Sequence, residues 1–342
     1  MKFFIVIIFS LCIVLELLNP GLKKCSRHCL YGLIITFLII AAGFRDGFLY
    51  RDYENYINYY YYGNSSTVEY SFFIIASIAK FIQANNYIIL FIIYAILGVG
   101  IKAIGLHKLS PFIFASLAIY ISYYYSLHEL TQIRAGVATA IGLLSISSIY
   151  EKKPLKFLFI VFCAIFFHAS AVIYLPLYFI KGESFNKKNW TIILFASFAL
   201  FYFMPQIIPY ILSNIMGLYR ADKLVAYINR ADIDGYGLIG GRFILSYTLC
   251  AIFIAFSDRI HLHNKYFFVL LKIFIISIVF RIIFSQTIPV LGTRGSDLFE
   301  IVSIAMIPMP IYVIKPRIIA VMIVAGIGVA YLINVFIWGL LP

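Results

Sequence analysis

Apolar runs recur about twelve times along this chain, and no other feature restricts its fold as strongly. A run of about 17–25 residues that crosses as a helix bonds every backbone N–H and C=O within itself, whereas lipid offers an irregular segment no partners. The runs fall at residues 3–18, 30–44, 70–82, 87–105, 111–125, 130–150, 155–180, 191–218, 243–256, 266–284, 298–314 and 318–341. Strands of an outer-membrane barrel would be shorter and would alternate apolar with polar positions, which these runs do not. Of the 342 residues, 63% are hydrophobic and 12% charged, where a soluble domain has about 45–50% and ~25%. The expected fold is all-α, a polytopic transmembrane helix bundle of about 10–12 spans. It forms a single integral membrane domain over residues 1–342.

The formal net charge of +13 does not signal nucleic acid, because the basic residues sit in small groups between apolar runs with no soluble domain to display them. Short loops rich in Lys and Arg stay cytoplasmic. Lys23, Lys24 and Arg27, then Lys152, Lys153 and Lys156, then Lys315 and Arg317 mark that side. The longer mixed-charge loops Arg45–Glu69, Arg220–Arg242 and Gln286–Asp297, with the turn at His128 and Glu129, fall on the opposite face. Strict alternation fails for Lys102 with Lys108, and for Lys181 with Lys187 and Lys188, so some segments do not cross. Tyr70–Ile82 is short and Leu155–Ile180 carries His168 in its middle. Each reads as a half-span or broken helix, which membrane depth tolerates only where it is buried in protein or lines a wet cavity. The run Phe3–Leu18 lacks the small-residue cleavage pattern of a signal peptide and reads as a span. Cys25 and Cys29 beside His28 lie in a reducing loop and fall short of a metal site, so no metal is expected.

The stretch Ser126–Ala140, S-L-H-E-L-T-Q-I-R-A-G-V-A-T-A, places four polar residues at the entry to an apolar helix. Ser126 and Glu129 match the S-x-x-E capping box, which gives Glu129 a capping role. Arg134 lies about two turns further in, where an ionised side chain costs at least ~2.5–3.5 kcal/mol unless it faces water or a partner. It is therefore the candidate anion-binding residue. Gln132 and Arg134 project about 200° apart on a regular helix and face one ligand only if the helix start is irregular or the ligand wraps round it. His128 and Gln132, at i and i+4, share a face and are placed at the rim of the site.

Outside that stretch, the loop F-R-D-G-F-L-Y-R-D-Y-E-N-Y gathers Arg45, Arg51 and Asp52. Ion pairs at a surface are worth little, yet a chain with 14 carboxylates places four of them between residues 46 and 69. A general base for a sugar hydroxyl is expected there. The tyrosines that follow, including Tyr53 and Tyr56, suit an interfacial belt and equally a surface on which sugar rings stack. His168 is an intramembrane ionisable group and so a site candidate. Arg220, Arg230, Arg242, Arg281 and Arg294 add guanidinium groups, which bind phosphate oxygens bidentately and stay charged. No P-loop, dinucleotide fingerprint or H-E-x-x-H is present, and no cofactor is expected.

The order of these features resembles the EpsG family of bacterial polysaccharide polymerases, related in function to the Wzy-type O-antigen polymerases. Asp52, Tyr53 and Tyr56, then Glu69, then L-T-Q-I-R-A-G-V-A-T-A, then F-F-H-A-S-A-V before Leu175 and Pro176 carry it, with Arg294–Phe299 as a looser match. The resemblance implies a GT-C-like bundle whose cavity faces the extracytoplasmic side of the plasma membrane. The implied reaction transfers a growing glycan from undecaprenyl diphosphate to a lipid-linked repeat unit. Donor and acceptor are thus undecaprenyl-diphosphate-linked oligosaccharides lying in membrane lipid, and a chain-length regulator is a further partner. Arg134 and Arg294 would stabilise the leaving diphosphate in place of a metal, and Asp52 or His168 would deprotonate the acceptor. Arg45, Arg51, Tyr53, Tyr56, Glu69, His128, Gln132, Arg242 and Arg281 would contact substrate. A lipid-linked oligosaccharide flippase and an O-antigen ligase remain alternatives, since both also need a basic wet cavity.

Overall fold

The computed structural model describes residues 1–45, 47, 50–63, 68–215 and 240–337. Among the described residues the regular elements are helical and none is a strand. Among the described residues seven helices are long and apolar enough to cross a membrane: Lys2–Gly21, Lys24–Gly43, Ile88–Leu109, Ile133–Tyr150, Lys187–Ile207, Phe267–Phe284 and Arg317–Ile337. The chain is an all-α, multi-pass membrane protein. Tyr70–Ile82, Pro154–Phe167 and Ala169–Phe179 are also apolar, but fall short of the ~20 residues a crossing needs.

Two compact units form, Met1–Phe179 with Ser303–Pro342, and Ile180–Val302. The first contains α1 (Lys2–Leu18), α2 (Lys24–Gly43), α3 (Tyr53–Tyr62), α4 (Tyr70–Ile82), α5 (Ile88–Leu109), α6 (Ile113–Ile119), α7 (Ile133–Tyr150) and α8 (Pro154–Phe167). In the second, Arg242 pairs with both Asp297 and Glu300, and Ser246 donates to Glu300 at 2.6 Å, all among buried side chains.

The 155–180 run is indeed broken. Pro154 opens α8 at a position where its missing N–H costs nothing. His168 ends it in an extended conformation, φ −152° and ψ 110°, and the 3₁₀ helix Ala169–Phe179 follows. Lys152 Nζ donates to the Tyr178 carbonyl at 3.2 Å, and the Phe157 and Tyr178 rings lie 5.2 Å apart. The two strokes therefore fold back as a hairpin with both roots together. His168 forms its tip, about 21 Å from the roots by helical rise.

α7 begins beside the middle of α5, because Lys102 Nζ donates to the Gly136 carbonyl at 2.6 Å and Lys108 Nζ to Ser147 Oγ at 2.7 Å, fixing the two helices in parallel register. The approach to that start is the π-helical segment Tyr120–Glu129, far longer than the single-turn bulges in which π geometry is commonly found. Arg134 is thus the second residue of α7, and not two turns inside a helix capped at Ser126.

Glu129 is not a cap either. Its Oε1 accepts from Lys102 Nζ at 2.6 Å and from the Tyr120 hydroxyl at 2.9 Å, with Lys102 and Glu129 both buried. The S-x-x-E pattern describes contacts within one turn, whereas the partner here is 27 residues away. This pair also explains why Lys102 defied the loop-charge rule: it is a core residue. Gly98 makes room for it, since a Cβ there would stand 2.1 Å from Glu129 Oε2. Gly98→Ala is expected to push the carboxylate off Lys102 and cost about 3–5 kcal/mol, the penalty of a broken buried pair. A thermal unfolding midpoint equal to wild type in detergent would show that the carboxylate can move aside.

Candidate active site

Three helix ends of the first unit meet at one carboxylate. Glu69 stands before α4 in extended backbone, φ −65° and ψ 146°. Its Oε2 accepts from Arg134 Nη1 at the start of α7. Its Oε1 accepts the Ala169 N–H at 3.1 Å and lies 3.1 Å from His168 Nδ1, at the hairpin tip. Arg134, Glu69 and His168 retain side-chain exposures of 19%, 14% and 23%, so the cluster is sheltered yet reachable.

These contacts assign hydrogen-bond roles. An ionised carboxylate only accepts, so His168 Nδ1 carries the hydrogen in this contact, and a neutral ring in that tautomer presents its lone pair at Nε2. One guanidinium and two N–H donors around Glu69 favour its ionised form. Arg134 is steered further by Tyr56, whose ring centroid lies 5.8 Å from the guanidinium carbon. Tyr56 is itself buried and stacked near Phe72, with centroids 5.9 Å apart.

The other candidates of the first outer loop surround this cluster unevenly. Arg45 is buried, with Nη1 donating to the Ala42 carbonyl at 2.6 Å and the guanidinium lying over Phe91 at 4.4 Å and Tyr53 at 5.3 Å. Tyr53 in turn stacks on Phe91 at 4.5 Å. Arg51 is exposed, and Asp52 is half-buried at the N-terminus of α3 with φ 64°. No hydrogen bond or ion pair holds the Asp52 side chain among the described residues. Asp46, Arg220 and Arg230 lie outside the described residues.

Gln132 precedes α7 with non-helical φ −97° and ψ 62°, which is the first of the two alternatives that the Gln132–Arg134 spacing left open. His128 does not share a face with it. It is buried behind α7, 3.4 Å from Thr139 Oγ1, and its carbonyl would lie 2.8 Å from a Cβ at Gly136. In the second unit, Arg242 is committed to its two carboxylates, Arg281 lies 5.8 Å from the Phe243 ring, and Arg294 is exposed on the Pro289–Glu300 helix. One participant had no sequence signal: the Ala169 N–H is a backbone group freed by the helix break. Among the described residues no three His, Cys, Asp or Glu side chains are grouped to hold a metal.

The model of the EpsG family matches residues 28–341 of this sequence. No curated protein and no solved structure matches it.

Proposed function

Since the chain belongs to the EpsG family, we propose that it is a polysaccharide polymerase joining undecaprenyl-diphosphate-linked repeat units at the outer face of the plasma membrane, for an O-antigen, capsule or exopolysaccharide. The observation that carries this reading is the meeting of His168, Glu69 and Arg134 at three helix ends. A base held by a carboxylate, beside an arginine, is what glycosyl transfer from a diphosphate calls for.

In this reading His168 Nε2 takes the proton of the acceptor hydroxyl as that oxygen bonds to the anomeric carbon of the donor sugar. The bond from that carbon to the phosphate oxygen breaks, and its electron pair leaves on undecaprenyl diphosphate. Glu69 orients the imidazole and stabilises the imidazolium, as the carboxylate does in a Ser-His-Asp triad. Asp52 is the weaker base candidate, because nothing orients it. Arg134 keeps one nitrogen on Glu69 and offers its remaining N–H groups to the anionic leaving group, with the arginines standing in for a metal. Arg294 remains a candidate for the leaving diphosphate on the family resemblance alone.

The test is surface glycan length in a deletion strain complemented by the wild-type gene. Single repeat units reaching the surface, with long chains restored on complementation, are expected. Long chains persisting without the gene would exclude the polymerase. Repeat units stranded in the inner leaflet would indicate a flippase, and lipid-linked polymer building up would indicate a ligase.

A further inference from the structure

Arg45 is a buried cation with no counter-ion among the described residues. Its relative exposure is 6%, and no carboxylate among the described residues pairs with it. Nη1 is spent on the Ala42 carbonyl, whereas Nε and Nη2 have no hydrogen-bond partner. Those two nitrogens form the side-on edge of the guanidinium, whose parallel N–H groups match two oxygens of one oxyanion. The rest of the shell is aromatic: Phe91 and Tyr53 under the guanidinium, with Tyr50, Tyr56 and Tyr125 as its other electrostatic neighbours. Aromatic faces and one carbonyl at the end of α2 soften the burial of a charge. They leave two buried donors bare, a cost that native structures rarely carry without a reason. Tyr56 joins this shell to the cluster described above, since its ring also faces Arg134. Arg134 is already paired with Glu69, whereas buried Arg45 has no carboxylate partner among the described residues.

We infer that Arg45 is an oxyanion seat, receiving through Nε and Nη2 an anionic group of the lipid-linked substrate. The inference rests on the polymerase reading for the identity of the substrate, and on the Arg45 geometry alone for the seat. A phosphoryl group of the carrier and the carboxylate of an acidic sugar share the chemistry that fits.

The experiment compares full-length wild type with Arg45→Met, an apolar side chain of similar length, purified in detergent. Inorganic pyrophosphate and glucuronate are titrated separately by calorimetry, and thermal unfolding is recorded without ligand. Wild type is expected to bind one of the two probes, and Arg45→Met to bind it at least tenfold more weakly with an unfolding midpoint no lower than wild type. Pyrophosphate dependence would assign the seat to the carrier, and glucuronate dependence to the sugar. Equal binding by the two proteins, or binding of neither probe by wild type, would overturn the seat. A lower midpoint for Arg45→Met would also overturn it, marking the guanidinium as a helix cap and nothing more. These readouts need no polymerisation. A deletion strain that still makes long chains would therefore remove the polymerase reading and leave the seat to be judged by binding.

Discussion

His168→Ala is expected to slow chain extension by about 10²–10⁴-fold, the usual worth of a positioned general base, while leaving the protein abundant in the membrane. The side chain is 23% exposed, and its polar contact is the one to Glu69, so little packing is lost. The hairpin itself is held at its roots by Lys152, Phe157 and Tyr178. Polymer formation by isolated membranes, normalised to protein by immunoblot, measures the effect. Chains of wild-type length from His168→Ala would move the base elsewhere, and Asp52→Asn would then be the variant to compare. Glu69→Gln should give a smaller loss than His168→Ala, because the amide oxygen still accepts from Nδ1 but no longer stabilises the imidazolium.

Arg134→Ala should abolish long chains outright. It removes donors from the leaving group and strips Glu69 of its cation, leaving a partly buried carboxylate held by His168 and the Ala169 N–H. Glu69→Ala should be as severe, since it frees Arg134 and His168 together. Because the three side chains share one set of contacts, the double variant should lose no more than the worse single one; residues acting as a unit are not additive. Surface glycan ladders from the four strains, scored beside thermal unfolding of each protein, make the comparison. Additive losses would mean that Arg134 and Glu69 serve separate steps.

The sequence announced the membrane helices through run length alone, and His168 through the cost of an ionisable group inside an apolar run. Gln132 and Arg134 likewise pointed to an irregular helix start, by spacing that a regular helix reconciles only with a ligand wrapped round it. What stayed hidden depends on contacts between distant residues. Glu129 sits in a perfect local capping pattern, yet a buried ammonium 27 residues away outcompetes the backbone for its carboxylate. His128 falls on the face of Gln132 by helical arithmetic, which fails because the helical segment that carries His128 ends at Glu129 and Gln132 stands in non-helical backbone. Arg242 had the composition of a phosphate ligand, but its two carboxylates come from a helix that sequence order does not bring near.

The hairpin that carries His168 and the short helix that follows Glu69 have their roots at opposite ends of α5. Lys108 and Ser147 tie the far end of α5 to that of α7, from which Glu151–Lys153 lead into α8, while Gln83–Tyr87 join α4 directly to the near end of α5. That helix has 22 residues and spans about 33 Å, close to the thickness of a bilayer's hydrocarbon core. The hydrogen bond between Glu69 and His168 therefore closes a bridge between the two faces of the first unit, each arm of fixed reach. Lipids with longer acyl chains, which draw the faces of a bundle apart or force tilt, would load the contact in which the two arms meet. On the polymerase reading, the rate of chain growth is then expected to depend on membrane thickness.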